Sequence, residues 1–378
     1  MTNNHPAGNC QKRHIHSMQC IIPPYMSMKL LGNADKDQAA LLTKLSCFST
    51  DEELRARRTS YAKLQPGQKR LLALLQLKNK VRVFTAQANQ DLPKPTREVY
   101  SAEGRDELPG RLVRGEDSKA TGDIDVDRVY DAAGATWDFY YSLFGRNSID
   151  NAGMKLIQTV HYMRAYDNAF WDGKQMVYGD GDGDLFASFT ADIDVTGHEL
   201  THGVVQYECN LDYYGQSGAL NESLADVFGS MIKQKTLNQD VKSADWLIGE
   251  NILVGDQYAI RSLKAPGTAY VDHPELGTDP QPAHMSGYTN DPDDNGGVHL
   301  NSGIPSHAFY LAANDLGGFA WEKVGRVWYS AMCNPELVPV NATFEKFKQA
   351  TLSTSTTLFG LKDKVTQAIE NAWKGVGV

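Results

Sequence analysis

Residues 197–203 read GHELTHG. His198 and His202 stand four positions apart, and on a helix that separation puts both imidazoles on one face. Two ring nitrogens can then converge on one tetrahedral cation, while Glu199, one residue round, can reach a water at the same cation. The layout is that of metal-assisted hydrolysis, with a cation to polarise a carbonyl and a carboxylate to move the proton. A catalytic zinc normally takes three protein ligands, so a third is expected. Glu222 fits: it follows His202 by twenty residues in ALNESLADVFG, on a second helix whose Leu220, Leu224, Val227 and Phe228 can pack against the first. Asp226, one turn further on, can accept the remaining ring N–H of a ligand histidine and so hold its tautomer. An HExxH pentapeptide also arises by chance on amphipathic helices. The Glu and Asp on a second helix make coincidence far rarer.

These residues need two helices and a cleft. Apolar spacing predicts helices over 195–207, 219–235, 304–315, 321–331, 342–351 and 363–373, so the second half of the chain is helical. Short β-rich runs precede it: REVY, RLVR and LIQTVHYM, separated by Gly and Asp turns up to about residue 194. One helix interrupts them over 125–144, where Val126, Val129, Tyr130, Ala133, Trp137, Tyr140 and Tyr141 recur at helical spacing. Residues 1–90 form a separate unit with PPYM at 23–26 and a Leu-rich helical stretch over 68–80, followed by the linker QDLPKP. The expected fold class is α+β in two domains: a β-rich domain over 91–213 that includes the zinc helix, and an α-helical domain over 214–378. A site belongs in the cleft between them.

Composition excludes several other classes. The net charge is −9 and the pI about 5.6, without a basic stripe, which argues against nucleic acid as a partner. No stretch approaches the roughly 18 to 20 apolar residues of a membrane span. Cys10, Cys20, Cys47, Cys209 and Cys333 have neither disulfide-framework nor zinc-knuckle spacing. The polar start MTNNHPAGNCQKRHIH lacks the apolar run of a secretory signal, so the expected location is cytoplasmic or reached by a non-standard export route. DGDGD at 180–184 suggests a calcium loop, but the sixth and twelfth positions are Leu185 and Ala191 instead of Gly and Glu. A Gly-rich hairpin turn is the better reading.

From about residue 97 to the C-terminus the chain resembles the thermolysin family of zinc peptidases. The segments NAFWDGKQMVYGDGDGD, GHELTHG, SGALNESLADVFG, ADWLIGE and DNGGVHLNSG carry the resemblance and occur in family order. It implies His198, His202 and Glu222 as zinc ligands and Glu199 as the base that takes a proton from the attacking water. It further implies Tyr213 and His299 as oxyanion donors, with Asp294 orienting His299. Arg261 matches the arginine that meets a substrate carbonyl, and Asn168 with Ala169 the edge that pairs with extended peptide. Phe186, Val195 and Ile260 match the apolar pocket just after the scissile bond, which implies a preference for bulky apolar residues there. His161, His273, His284 and His307 have no such match and read as structural.

The resemblance also implies calcium near the zinc helix, through Asp194, Asp245 and Glu250. Lys233 and Leu247 stand where further carboxylates are expected, so one calcium at most is anticipated. CIIPPYM at 20–26 is similar to the short pro-segment of protealysin-like members, implying a zymogen whose own pro-segment fills the cleft until clipped between about Lys80 and Pro93. A thiolate from Cys10 or Cys20 on the zinc is a rival route to latency. The expected protein is a zinc endopeptidase, monomeric when mature, acting on peptides or proteins. The alternative is a catalytically silent zinc-binding protein that keeps the fold.

Overall fold

The computed structural model describes residues 19–33, 92–255 and 258–378. The Leu-rich stretch over 68–80, Cys10, Cys47 and nearly all of the expected processing region lie outside the described residues. In chain order the described strands and first helices are β1 (Gln19–Cys20), α1 (Pro24–Asn33), β2 (Arg97–Ser101), β3 (Arg111–Gly115), α2 (Ile124–Phe144), β4 (Leu156–Val160), β5 (Ala169–Trp171) and β6 (Met176–Tyr178). Then come α3 (Ile193–Tyr207), α4 (Gly215–Thr236), the short pair β7 (Leu247–Ile248) and β8 (Arg261–Ser262), α5 (Val298–Asn301), α6 (Gly303–Leu316), α7 (Val324–Met332), α8 (Phe344–Phe359) and α9 (Lys364–Gly375). The β-rich and helical halves follow the expected order, and the predicted helices agree to within a turn except α8, which runs two turns further, to Phe359.

The sheet runs in the order β1-β5-β6-β4-β2-β3. Strands β2, β4 and β6 are parallel, while β3 and β5 are antiparallel additions at either side. Without β1, the β5 strand would be a bare edge with main-chain donors and acceptors open to another strand. The N-terminal segment supplies that strand: Cys20 pairs with Phe170 and Gln19 with Trp171, antiparallel.

Helix α2 starts at Asp123, whose carboxylate accepts from the amides of Asp125 and Val126, and ends at Gly145 in the left-handed region. Its aromatic face meets α4, with Tyr140 stacked on Phe228 at 5.7 Å. The helical half closes around stacked Trp328 and Trp373, and Trp373 Nε1 donates to Thr351 Oγ1 at 3.1 Å.

Helix α3 is buried on every side from Asp194 to Val205. Burying polar side chains is costly unless each finds a partner, and here they do. Thr196 accepts from Tyr178, and Thr201 pairs with Tyr140 at 2.7 Å. The crossing with α4 is close because glycines face each other. A Cβ on Gly197 would lie 3.1 Å from Gly229 Cα, and one on Gly229 would lie 2.7 Å from Asp194 O. Sequence spacing identified the apolar positions of α4 but not this pair, which lets the two backbones approach and brings the side chains of α4 to those of α3.

The DGDGD run forms a tight turn after β6. Asp182 Oδ1 accepts from the amides of Asp184, Leu185 and Phe186. His161 ties this turn to α2, with Nδ1 2.8 Å from Asp180 Oδ1 and Nε2 3.1 Å from Asp123 Oδ2. The Asp180 hydrogen bond outweighs partial burial, with Asp123 adding to it, and the imidazole pKa rises to about 9. A raised histidine pKa stabilises the fold below the unfolded value and loses that contribution as pH rises through the folded one. The melting-temperature gap between wild type and His161→Gln is therefore expected to be full near pH 6 and to close above pH 9, read by calorimetry across that window. A gap that stays constant with pH would show that packing, not charge, makes the difference.

Candidate active site

Helices α3 and α4 bring His198, His202 and Glu222 together at the floor of the cleft. The two Nε2 atoms are 2.9 Å apart, with the rings perpendicular. Glu222 Oε2 lies 3.5 Å from His198 Nε2, and its Oε1 lies 3.5 Å from His202 Nε2. The other ring nitrogens are engaged: His198 Nδ1 meets Asp226 Oδ1 at 2.7 Å, and His202 Nδ1 meets Asn221 Oδ1 at 2.9 Å. With both Nδ1 atoms donating, the Nε2 lone pairs point at each other and need a cation or a shared proton between them. A proton there would still leave Glu222 Oε2, fully buried, without a hydrogen bond. A divalent cation reached by all three groups would satisfy every one of these atoms, so the donor set of two imidazoles and a carboxylate fits zinc. Burial alone would raise the Glu222 carboxyl, but His299, His202 and His198 around it hold it well below the usual carboxylate range.

Asn221 was missed by the sequence reading. It precedes Glu222 and does for His202 what Asp226 does for His198, fixing which nitrogen carries the proton. A motif search for carboxylates passes over it, and only its place one residue from a ligand on the same helix hints at the role.

The remaining predicted residues surround this point. Glu199 Oε2 accepts from the Trp171 amide of β5 at 3.0 Å, so the carboxylate stands between zinc helix and edge strand. The Tyr213 hydroxyl donates to Glu222 Oε1 and lies 3.2 Å from His299 Nε2. His299 is held from behind by Asp294, whose Oδ1 is 2.5 Å from Nδ1 and whose Oδ2 accepts from the amides of His299 and Leu300. Asp226 also accepts from Arg261, at 2.7 Å from Nε and 2.9 Å from Nη2. One buried carboxylate thus holds both His198 and Arg261, a coupling that sequence spacing did not reveal. Phe186, Val195 and Ile260 are fully buried in the apolar cluster that also contains Ile21.

The N-terminal segment lies across all of this. The Ile21 amide donates to Ala169 O at 3.1 Å and the Ile22 amide to Asn168 Oδ1 at 3.1 Å. Arg261 Nη1 donates to Ile21 O at 2.7 Å, and His299 Nε2 is 3.2 Å from Cys20 O. Cys20 presents its carbonyl to the site. Its sulfur belongs to a separate apolar cluster with Ala102, Tyr162, Tyr166, Phe170 and Val177. The expectation of a Cys20 thiolate on the metal is therefore corrected, because the pleat that pairs Cys20 with Phe170 turns its side chain to the outer face. Cys10 lies outside the described residues.

The three carboxylates expected to bind calcium gather around an ammonium. Lys233 Nζ lies 2.8 Å from Asp245 Oδ2, 3.3 Å from Asp194 Oδ2 and 3.4 Å from Glu250 Oε2. Burial would lower the lysine pKa, yet Asp194 and Asp245 outweigh it and hold it above its ordinary value.

A cleft between a mixed sheet and a helical half, floored by two histidines and a glutamate that fit a zinc ion, with the Glu199 carboxylate beside them, defines the class of metal-dependent peptidases. Comparisons give the particular family. Residues 64–206 match the thermolysin metallopeptidase catalytic domain, and residues 209–378 its alpha-helical domain. The chain belongs to the thermolysin family of metallopeptidases. It is 45% identical over 362 residues to an extracellular metalloprotease of Pectobacterium carotovorum subsp. carotovorum, spanning 95% of this chain and 96% of the relative. It is 48% identical over 286 residues to protease PrtS of a Photorhabdus species, spanning 75% and 76%. Among solved structures it is similar to the precursor of protealysin, a metalloproteinase from Serratia proteamaculans, at 43% identity and a TM-score of 0.79, covering 95% of this chain and 99% of that one.

Proposed function

We infer that this zinc-dependent endopeptidase works with His198, His202 and Glu222 as metal ligands, Glu199 as proton carrier, and Tyr213 and His299 as oxyanion donors. Zinc, when bound, supplies Lewis-acid polarisation of the carbonyl under attack. The observation that carries the endopeptidase reading is the extended main chain of residues 20–22 lying against the site, held through backbone atoms by Ala169, Asn168, Arg261 and His299. Backbone-directed contacts suit internal bonds of many sequences. Glu199 takes the proton from the attacking water and delivers it to the leaving amine. Tyr213 and His299 donate to the oxygen as it gains charge, and Asp294 keeps His299 aimed. Burial of Ile21 beside Arg261 supports a preference for bulky apolar residues after the scissile bond.

Cleavage of quenched peptides differing at that one position, Leu against Asp, tests the reading. A preference for Leu of about 100-fold in kcat/KM is expected, since an unpaired carboxylate would have to enter an apolar pocket. A chelator should abolish cleavage and zinc should restore it. Equal cleavage of the two peptides would remove the pocket assignment.

The segment over residues 1–90 serves, in this reading, as an intramolecular inhibitor, because peptide cannot pair with β5 while β1 does. We propose too that Lys233 takes the place of the calcium anticipated between Asp194, Asp245 and Glu250, a fixed cation replacing a bound one. Wild-type melting temperature should then ignore millimolar calcium. Lys233→Ala should lose about 3 kcal/mol, because Asp194 is left buried without a counter-charge, and should regain part of it in calcium. An equal calcium response of the two proteins would sink the idea.

A further inference from the structure

The N-terminal segment does more than cover the cleft: it lies there in a defined register. Its four main-chain contacts assign positions. The carbonyl beside the oxyanion donor His299 belongs to Cys20, at 3.2 Å. The carbonyl on Arg261 belongs to the next residue, Ile21, whose amide donates to Ala169 O. The amide on the Asn168 carboxamide belongs to Ile22. Glu199 is held at the Trp171 amide, one strand position from Phe170, the β5 partner of Cys20. The bond between the carbonyl carbon at the oxyanion donors and the nitrogen after it is the bond a peptidase of this geometry breaks, and here that bond joins Cys20 to Ile21.

We propose that the Cys20–Ile21 peptide bond is a self-cleavage site, cut by the active site it covers. The proposal rests on the roles inferred above for Glu199 and His299. Water adds to the Cys20 carbonyl carbon as Glu199 takes its proton. The C–N bond then breaks, the proton passes to the Ile21 nitrogen, and the products are a Cys20 carboxylate and an Ile21 ammonium. Ile21 is fully buried and apolar, as the pocket after the scissile bond requires.

The fate of the two cleaved ends distinguishes this site from an ordinary activation site. On the near side of the cut the described residues, Gln19 and Cys20, are held by β1, which is two residues long, and by the packing of the Cys20 side chain. The chain from Ile21 stays anchored by Arg261 and Asn168, and by Met26 and Tyr25, which are buried in the main core. Cleavage here therefore frees the side of the cleft before the scissile bond and leaves the side after it occupied by a product that is still covalently attached. The enzyme remains latent until a second cut removes the segment from Ile21 onward.

Intact-mass spectrometry and N-terminal sequencing of the zinc-loaded full chain test this. The expected species begins at Ile21, forms at a rate independent of dilution, precedes activity on an external peptide, and is absent from Glu199→Ala. Ile21→Pro, which removes the amide donated to Ala169, should suppress the species at least tenfold. The register has its own readout without metal: in the chelated Glu199→Ala chain the Ile21 and Ile22 amides should be protected from hydrogen exchange. Unprotected amides would overturn the register. Protected amides with no chain starting at Ile21, in a preparation that goes on to cleave external peptide, would overturn self-cleavage while leaving the peptidase intact. A preparation that cuts neither itself nor any peptide would overturn the catalytic roles on which the proposal rests.

Discussion

Replacing Glu199 by alanine is expected to lower kcat by about 10³-fold at equal zinc content while KM changes little, since general acid–base catalysis contributes roughly 10²- to 10⁴-fold. The carboxylate is fully buried between α3 and β5 and accepts from the Trp171 amide, which fixes its position beside the histidine pair. The histidine pair and Glu222 do not depend on Glu199 for their contacts with one another. Zinc should therefore bind the variant normally, and metal analysis beside the kinetics separates a lost base from a lost metal. Retention of more than a tenth of wild-type kcat at full zinc occupancy would assign the proton transfer to a group other than Glu199.

Asp226→Asn should have the second largest effect, because one carboxylate performs two tasks. It accepts from His198 Nδ1 and it is the partner of Arg261 Nε and Nη2. Arg261 is 1% exposed, and loss of the charge leaves a guanidinium buried without its counter-ion, at a cost of about 3–5 kcal/mol. Loss of the partner behind a ligand histidine lowers metal affinity about 10- to 100-fold. Chemical denaturation and a zinc competition titration should both shift. The pairing matters: a variant with normal stability but weakened zinc, or the reverse, would show that the two tasks are separable and that His198 and Arg261 are not coupled through this residue.

How much of this was legible in the residues depends on how far apart the partners lie along the chain. His198, Glu199 and His202 share one helix, and helical geometry alone relates them. Glu222 and Asp226 follow on the next helix, near enough that apolar spacing could suggest the packing. Helix limits came within a turn for most segments because capping and apolar periodicity are local. The roles of Tyr213, Arg261, Asn168 and His299 came from resemblance, since each alone is an ordinary tyrosine, arginine, asparagine or histidine.

Local pattern picked out His198, His202 and Glu222, which the fold brings together in a set that fits zinc, and the order of β-rich and helical halves. Tertiary structure alone decided the rest. Gly197 and Gly229 permit the close crossing of α3 and α4, Lys233 sits among three carboxylates expected to hold calcium, and Cys20 turns its carbonyl, not its sulfur, toward His299. These depend on contacts between residues as much as 279 positions apart. Periodicity reports which face of an element is apolar. It carries no term for which distant element that face will meet, and that choice is made only when the whole chain packs.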